Sequence, residues 1–175
     1  MEEKKPFILA LVGPSGAGKT MLSEYLKCEL GLQPIVSYTT RPKREGETDG
    51  IEHHFVTAEV MPGKDRMLAY TKFGGHHYWA DLLDVPNEGC SYTIDEKGLM
   101  MLWENYGDKF DIKAVLIKRD PDLINVDSKR KKRDRCRVTI EEAAYSLILD
   151  NNGNDLDSFL KESCEKIRQI FNFEN

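Results

Sequence analysis

The hydrophobic positions of this chain follow two rhythms. Phe7–Val12 is an unbroken apolar run between Pro6 and Gly13, the mark of a strand covered on both faces. Leu22, Leu26 and Leu30 then recur at helical spacing, predicting a helix over residues 20–30 that Gly31 stops. Further strands are expected at 34–39, 51–56, 69–73, 76–79, 90–94, 112–117 and 147–149, with a Gly74-Gly75 turn before the 76–79 strand. Helices are expected at 96–106, 121–132, 139–146 and 156–171, and a charged loop at 41–50. Strands alternating with helices predict an α/β fold of three layers, α/β/α, around a mostly parallel sheet. Residues 35–80 break the alternation and predict a small antiparallel insertion, where a substrate subdomain would sit.

A length of 175 residues suits a single domain with one core. No stretch approaches the roughly 18 apolar residues of a membrane span. The charged start Met1–Lys5 followed by an apolar run resembles a signal peptide only superficially. The run ends in a glycine motif rather than a small-residue cleavage site, so it reads as a buried strand. Cys28, Cys90, Cys136 and Cys164 are far apart and form no CxxC pair. That argues against a zinc site or a disulfide framework and fits a cytoplasmic protein. The adjacent pairs His53-His54 and His76-His77 would point to opposite faces of their strands, which again disfavours a metal centre. A net charge of −5 gives no global sign of nucleic-acid binding, but residues 129–137 hold seven basic side chains in nine positions.

Gly13-Pro14-Ser15-Gly16-Ala17-Gly18-Lys19-Thr20 fits G-x-x-x-x-G-K-[ST] throughout, with a buried strand before it and an amphipathic helix after it. Glycines let backbone N–H groups turn inward around a polyphosphate, and the following helix aims its positive end at the same anion. Lys19 would reach the β- and γ-phosphates of ATP, and the Thr20 hydroxyl would ligate Mg²⁺. About twenty residues on, Arg41 and Arg44 lie three apart in a glycine-bearing loop, a spacing that lets two guanidinium groups converge on one phosphate.

The segment 37–55 resembles the guanylate kinases. Their pattern S-x-T-T-R-x-x-R-x-G-E-x-x-G followed by a Phe is met by Ser37, Thr39, Thr40, Arg41, Arg44, Gly46, Glu47, Gly50 and Phe55. The glycine motif in the form GPSGAGK is also typical of that family. The resemblance is strong over residues 7–56 and weaker after. It implies a single P-loop nucleoside monophosphate kinase domain. The core would span 5–34, 88–122 and 138–175, the monophosphate-binding region 35–87, and the lid about 123–137. It further implies that Ser37, Arg41, Arg44 and Tyr78 contact the acceptor nucleotide, with both arginines on its phosphate.

Four departures from the family pattern bear on the acceptor. The family's phosphate-binding Tyr falls on His53, which can still donate a hydrogen bond. The Glu that reads guanine's donor edge falls on Ala69, with Glu47, Asp49 and Glu52 as conceivable substitutes. The G-N-Y-Y-G-[ST] segment becomes Gly75-His76-His77-Tyr78-Trp79-Ala80, replacing a small Gly by Trp79 and a base-reading hydroxyl by Ala80. The D-x-D after the next strand becomes Thr93-Ile94-Asp95, leaving Thr93 at an acceptor-binding position. Asp95 can hold Mg²⁺ through water, cap the following helix, or do both.

The basic run falls where such kinases carry a closing lid, although it can also be read as a nucleic-acid patch. In the lid reading, Arg135 bridges the two nucleotides, since Glu142 follows it by seven residues as in the family's Arg-to-Glu helix, and Arg130 or Arg133 assists. Asn151 or Asn152 would contact adenine or merely form a turn. The expected enzyme moves phosphate from ATP to a nucleoside monophosphate, GMP or dGMP first, with Lys19, Arg44 and Arg135 as its catalytic cations. Its partner is a small-molecule substrate rather than a membrane or nucleic acid, and it acts as a monomer or homodimer. Another nucleotide, a sugar phosphate, or a binding module without catalysis are the rival readings.

Overall fold

The computed structural model describes residues 5–135, 137–153 and 155–173; for Lys129, Arg130 and Arg133 it describes the backbone alone. The chain opens with β1 (Phe7–Val12), α1 (Lys19–Leu30), β2 (Gln33–Pro34), β3 (Tyr38–Thr39), β4 (His54–Phe55), β5 (Met67–Phe73) and β6 (His76–Asp81). It continues through β7 (Cys90–Thr93), α2 (Glu96–Tyr106), β8 (Asp111–Lys118), α3 (Ser128–Arg135), β9 (Leu147–Asp150) and α4 (Leu156–Phe171). Five strands form one parallel sheet in the order β2-β7-β1-β8-β9. Four others form a smaller sheet in the order β4-β3-β6-β5.

The unbroken apolar sequence of β1 follows from its central place. Ile8, Ala10 and Val12 face α2 and the small sheet, packing with Leu68, Ala69, Ala80, Tyr92, Leu99 and Leu102. Leu9 and Leu11 face the opposite layer, where Leu22 and Leu26 of α1 meet Phe159, Leu160 and Ile167 of α4. Strand side chains alternate, so a strand buried on both sides must be apolar at every position. One polar pair interrupts this layer: the Ser23 and Ser91 hydroxyls lie 2.7 Å apart, joining α1 to β7 in the interior.

Four expectations need correction. Residues 34–39 are two strands, not one: Pro34 is the last residue of the edge strand β2, the Ile35 N–H donates to the Ser91 carbonyl at 2.8 Å, and the chain then crosses to the small sheet as β3. The 51–56 strand shrinks to β4, because Thr48, Asp49 and Glu52 fold back as a turn, with the Glu52 carboxylate accepting from the Thr48 N–H and that of Asp49 from the Phe55 N–H. The insertion pairs antiparallel, as expected, through β3, β6 and β5, and the short β4 joins its edge parallel to β3. The 121–132 helix is a single 3₁₀ turn, Pro121–Leu123, capped by Asp120, and helix resumes only at α3. The 139–146 helix is likewise one 3₁₀ turn, Glu142–Ala144; Val138, Thr139 and Ile140 are β-branched and favour the extended chain that leads back to β9.

The small sheet is pinned to the core by α2. The Tyr106 hydroxyl, at the buried C-terminal end of that helix, is 3.0 Å from both the Asp65 and the Met67 carbonyl oxygens at the start of β5. Replacing Tyr106 by Phe leaves buried carbonyls without a donor. The expected cost is about 1–3 kcal/mol, measured as a lower urea midpoint, with nucleotide binding to the folded chain unchanged.

Candidate active site

The glycine loop leaves β1 at the C-terminal edge of the parallel sheet, the edge at which α/β proteins bind ligands. Its first residue is constrained by space: a Cβ on Gly13 would lie 2.4 Å from the Ile117 carbonyl oxygen of β8. At the other end, Gly18 has φ +99 and would push a Cβ to 2.9 Å from Asn151 Nδ2. Asn151 is 2% exposed, and its amide donates to the Ala17 carbonyl at 2.8 Å. Expected as an adenine contact, it instead lies beneath the loop and holds its shape. Asn152 is exposed and accepts from the Asp120 N–H at 2.6 Å.

The Lys19 amine folds back to donate to the carbonyls of Gly13 and Pro14, both at 2.8 Å. Thr20 is exposed on the first turn of α1. The loop also holds an anionic group of the protein itself. The backbone N–H and the hydroxyl of Ser15 donate to the two carboxylate oxygens of Asp134 on α3, each at 3.2 Å. Nothing in the sequence pattern singled out Asp134, beyond its being the one acid in a basic run.

Thr93 ends β7 and Asp95 follows it at the same sheet edge, Thr93 pairing in register with Leu11. Both are exposed, and the Asp95 carboxylate caps α2 by accepting from the Gly98 N–H at 2.8 Å. Thr20 and Asp95 offer hard oxygen atoms open to solvent. They fit Mg²⁺, which takes much of its shell from phosphate and water. No group of three His, Cys, Asp or Glu among the described residues is arranged to hold a metal.

A second group forms on one face of the small sheet. The Ser37 hydroxyl lies 2.8 Å from His53 Nδ1, and the His53 ring meets Phe55 and Tyr78 edge to face. Burial, aided by the nearby Arg41 cation, pushes the His53 pKa down, which favours the neutral ring. The buried Arg41 guanidinium stacks over Phe55 and grips Glu47 with both arms, at 2.7 and 2.6 Å. Glu47 also accepts from the Arg44 N–H at 2.8 Å, while the Arg44 side chain is exposed at the loop. Thus Ser37, Arg41, His53 and Tyr78 are brought together, and one carboxylate ties Arg41 to the backbone beside Arg44.

The lid positions are arranged differently from expectation. Arg135 is exposed at the end of α3 and borders a cleft of about 650 Å³ with Pro14, Asp120 and Asn152. No helix joins it to Glu142, which instead pairs with Lys118. The arginine that is held is Arg137: it donates to both carboxylate oxygens of the buried Glu96 at the start of α2. The side chains of Arg130 and Arg133, and Cys136, lie outside the described residues.

The family model described as guanylate kinase matches residues 3–86. A guanylate kinase of Campylobacter jejuni is 28% identical over 94% of this chain and 87% of its own length. That of Nitrosococcus oceani is 43% identical over a shorter stretch, 41% of this chain and 36% of its own. The crystal structure of guanylate kinase from Anaplasma phagocytophilum superposes with a TM-score of 0.64 at 21% identity, covering 97% of this chain and 86% of that one. Over most of its length the chain is similar to guanylate kinases.

Against the guanylate kinase pattern, the structure sorts the departures. Trp79 is buried and stacks on Tyr38 with ring centres 5.5 Å apart, on the face away from Tyr78. It therefore leaves the Tyr78 face as it was. Ala69 and Ala80 are cross-strand partners on the Tyr78 face, and both are buried. The three acids named as substitutes for the missing Glu are all spent within their own loop: Glu47 on Arg41, Asp49 on Phe55 and Glu52 on Thr48.

Arg41, foremost through its hydrogen bonds, holds Glu47 at about 2, against an ordinary value of 4.5. A carboxyl depressed on folding stabilises fully above its unfolded pKa and loses that contribution as pH falls through its folded pKa. The Arg41–Glu47 contact should therefore contribute fully above about pH 4.5 and fade towards pH 2. Wild type should melt higher than Glu47→Gln at pH 6, and the gap should narrow steadily below pH 4.5. A gap independent of pH would show that the charge of Glu47 contributes nothing.

Proposed function

We propose that this chain transfers the γ-phosphoryl group of ATP to the phosphate of a nucleoside monophosphate. The observation that carries the reading is the glycine loop. It turns at the C-terminal edge of β1, too close to β8 for any side chain at Gly13, with Lys19 folded over it and a carboxylate already at the Ser15 N–H. A loop that gathers an anion at a helix N-terminus suits a polyphosphate. In such transfers the acceptor phosphate oxygen attacks in line, and the protein's work is positioning and charge stabilisation rather than proton removal.

Lys19 is the cation for the transferred group. Thr20 and Asp95 would hold Mg²⁺, which neutralises charge on the phosphates. Arg41, Ser37, His53 and Tyr78 form the acceptor-phosphate end, where nucleotide phosphate would take over the Arg41 fork now held by Glu47. Arg44, exposed on the acceptor loop, and Arg135, exposed at the end of α3, would supply further positive charge, and Thr93 would line the acceptor side. Asn151 acts through the loop and not on the base.

GMP is the acceptor to which the relatives' names point, and dGMP presents the same base. A second reading, an acceptor with a different base, is favoured by the buried Ala69–Ala80 pair. Guanine's N1–H and amino donors would meet methyl groups there. A site that lacks the buried acceptor forgoes discrimination of up to about 10⁴-fold.

A coupled assay with ATP, Mg²⁺ and a panel of GMP, dGMP, AMP, CMP, UMP and dTMP tests both readings. Lys19→Ala should lower kcat by about 10²-fold or more, and Arg41→Ala should raise the KM of the acceptor. Absence of turnover with every nucleotide would remove the kinase reading. Ala69→Glu should shift kcat/KM toward GMP if a guanine-reading group is what the wild type lacks. An unchanged GMP preference in that variant would assign base choice elsewhere.

A further inference from the structure

The contact between Ser15 and Asp134 joins residues 119 positions apart and occupies the one place in the loop where an anion is expected. Its geometry is that of a bound oxyanion: one carboxylate oxygen takes the backbone N–H, the other the hydroxyl. The chain around it supports the placement. Gly16, at the crown of the loop, has Val126 and Ile124 side-chain atoms 3.1 and 3.2 Å from where its Cβ would lie, so the segment before α3 lies across the loop. Ile124 is buried in that contact. Beyond α3, Arg137 is fastened to the buried Glu96. The stretch from Ile124 to Arg135 therefore crosses the loop and delivers Asp134 to it, with an apolar contact before α3 and the Arg137–Glu96 ion pair beyond it.

The charges explain why an acid stands alone among seven basic residues. The loop gathers the N-terminal dipole of α1 and the Lys19 ammonium group, and both favour an anion beside them. A carboxylate supplies that anion, and its two oxygens match two donors. Phosphate oxygens need the same donors, so carboxylate and nucleotide cannot hold them together.

We propose that Asp134 is an internal competitor for the phosphate loop: it closes the lid segment over the loop, and a nucleoside triphosphate must displace it to bind. The inference rests on the reading of residues 13–20 as the ATP phosphate site. Displacement frees α3 from the loop, so arrival of the phosphates and rearrangement of the basic run become one event.

The test is calorimetric titration of the full chain with ATP and Mg²⁺, in the absence of acceptor, for wild type, Asp134→Asn, Asp134→Ala and Lys19→Ala. Asp134→Asn keeps the shape and removes the charge. It should bind ATP roughly tenfold more tightly, the equivalent of about 1.4 kcal/mol. Inorganic tripolyphosphate should show the same ordering, because the competition is for phosphate and not for the base. Without ligand, both Asp134 variants should melt below wild type, and saturating ATP should close the gap. Equal or weaker ATP binding by both Asp134 variants, with their far-ultraviolet dichroism intact, would overturn the proposal. Lys19→Ala reports separately on the loop: ATP binding undiminished in that variant would sink the phosphate-site reading itself, whatever Asp134 does.

Discussion

A close approach of two backbones governs much of the rest. Gly13 passes so near the Ile117 carbonyl that the backbone of β1 and that of β8 touch where the glycine loop begins. The loop cannot move outward without separating the two central strands, and those strands are in register from Phe7 with Asp111 to Val12 with Leu116. Asn151, arriving from β9, closes the other side by bonding to Ala17. The loop is therefore shaped by two neighbouring strands as much as by its own glycines. Its donors stay arranged for an anion at no entropic cost when one arrives.

Around this rigid centre, three cations and one pair of neutral donors are engaged by carboxylates. Arg41 is held by Glu47, Arg137 by Glu96, Lys118 by Glu142, and the Ser15 donors by Asp134. A net charge of −5 is thus compatible with a site for highly charged anions, because acids stand in for phosphate where basic groups gather. Buried cations without partners would be costly, and pairing keeps them oriented as well as solvated. On the proposed function, substrate binding would exchange one anion for another rather than neutralise bare charge, and this would favour ligands with several oxygens over single carboxylates.

The periodic elements were legible in the sequence: β1, α1, α2, β8 and α4 fall within a residue or so of expectation, since each is long and rhythmic. The glycine loop was legible because spacing and flanks agreed. What failed was short or context-driven. One expected strand became β2 and β3 because the chain changes sheets after Pro34, and sequence rhythm does not report which sheet a strand joins. The helix expected after Arg135 dissolved into a 3₁₀ turn, which took away the spacing argument for that arginine. Glu47 was visible as a motif letter, but its partner was not. The roles of Asp134, Glu96 and Arg137 depend on contacts across 41 to 119 residues, which no local pattern carries. Ala69 could be seen as a departure, but only the pairing of β5 with β6 shows Ala80 opposite it.

The strand order also bears on how the molecule assembles as it is synthesised. β1 emerges first, yet its neighbours are β7 and β8, which end at Thr93 and Lys118. At the usual translation rate of about 5–20 residues per second, the central strand waits several seconds for either edge to be covered. The β5–β6 hairpin, joined by the Gly74-Gly75 turn, needs no such partner, and hairpins close in roughly 1–10 μs. The insertion can thus be in place before the core that carries it, and α2, anchored through Tyr106, is the next segment able to shelter an apolar surface that would otherwise stand open to other nascent chains.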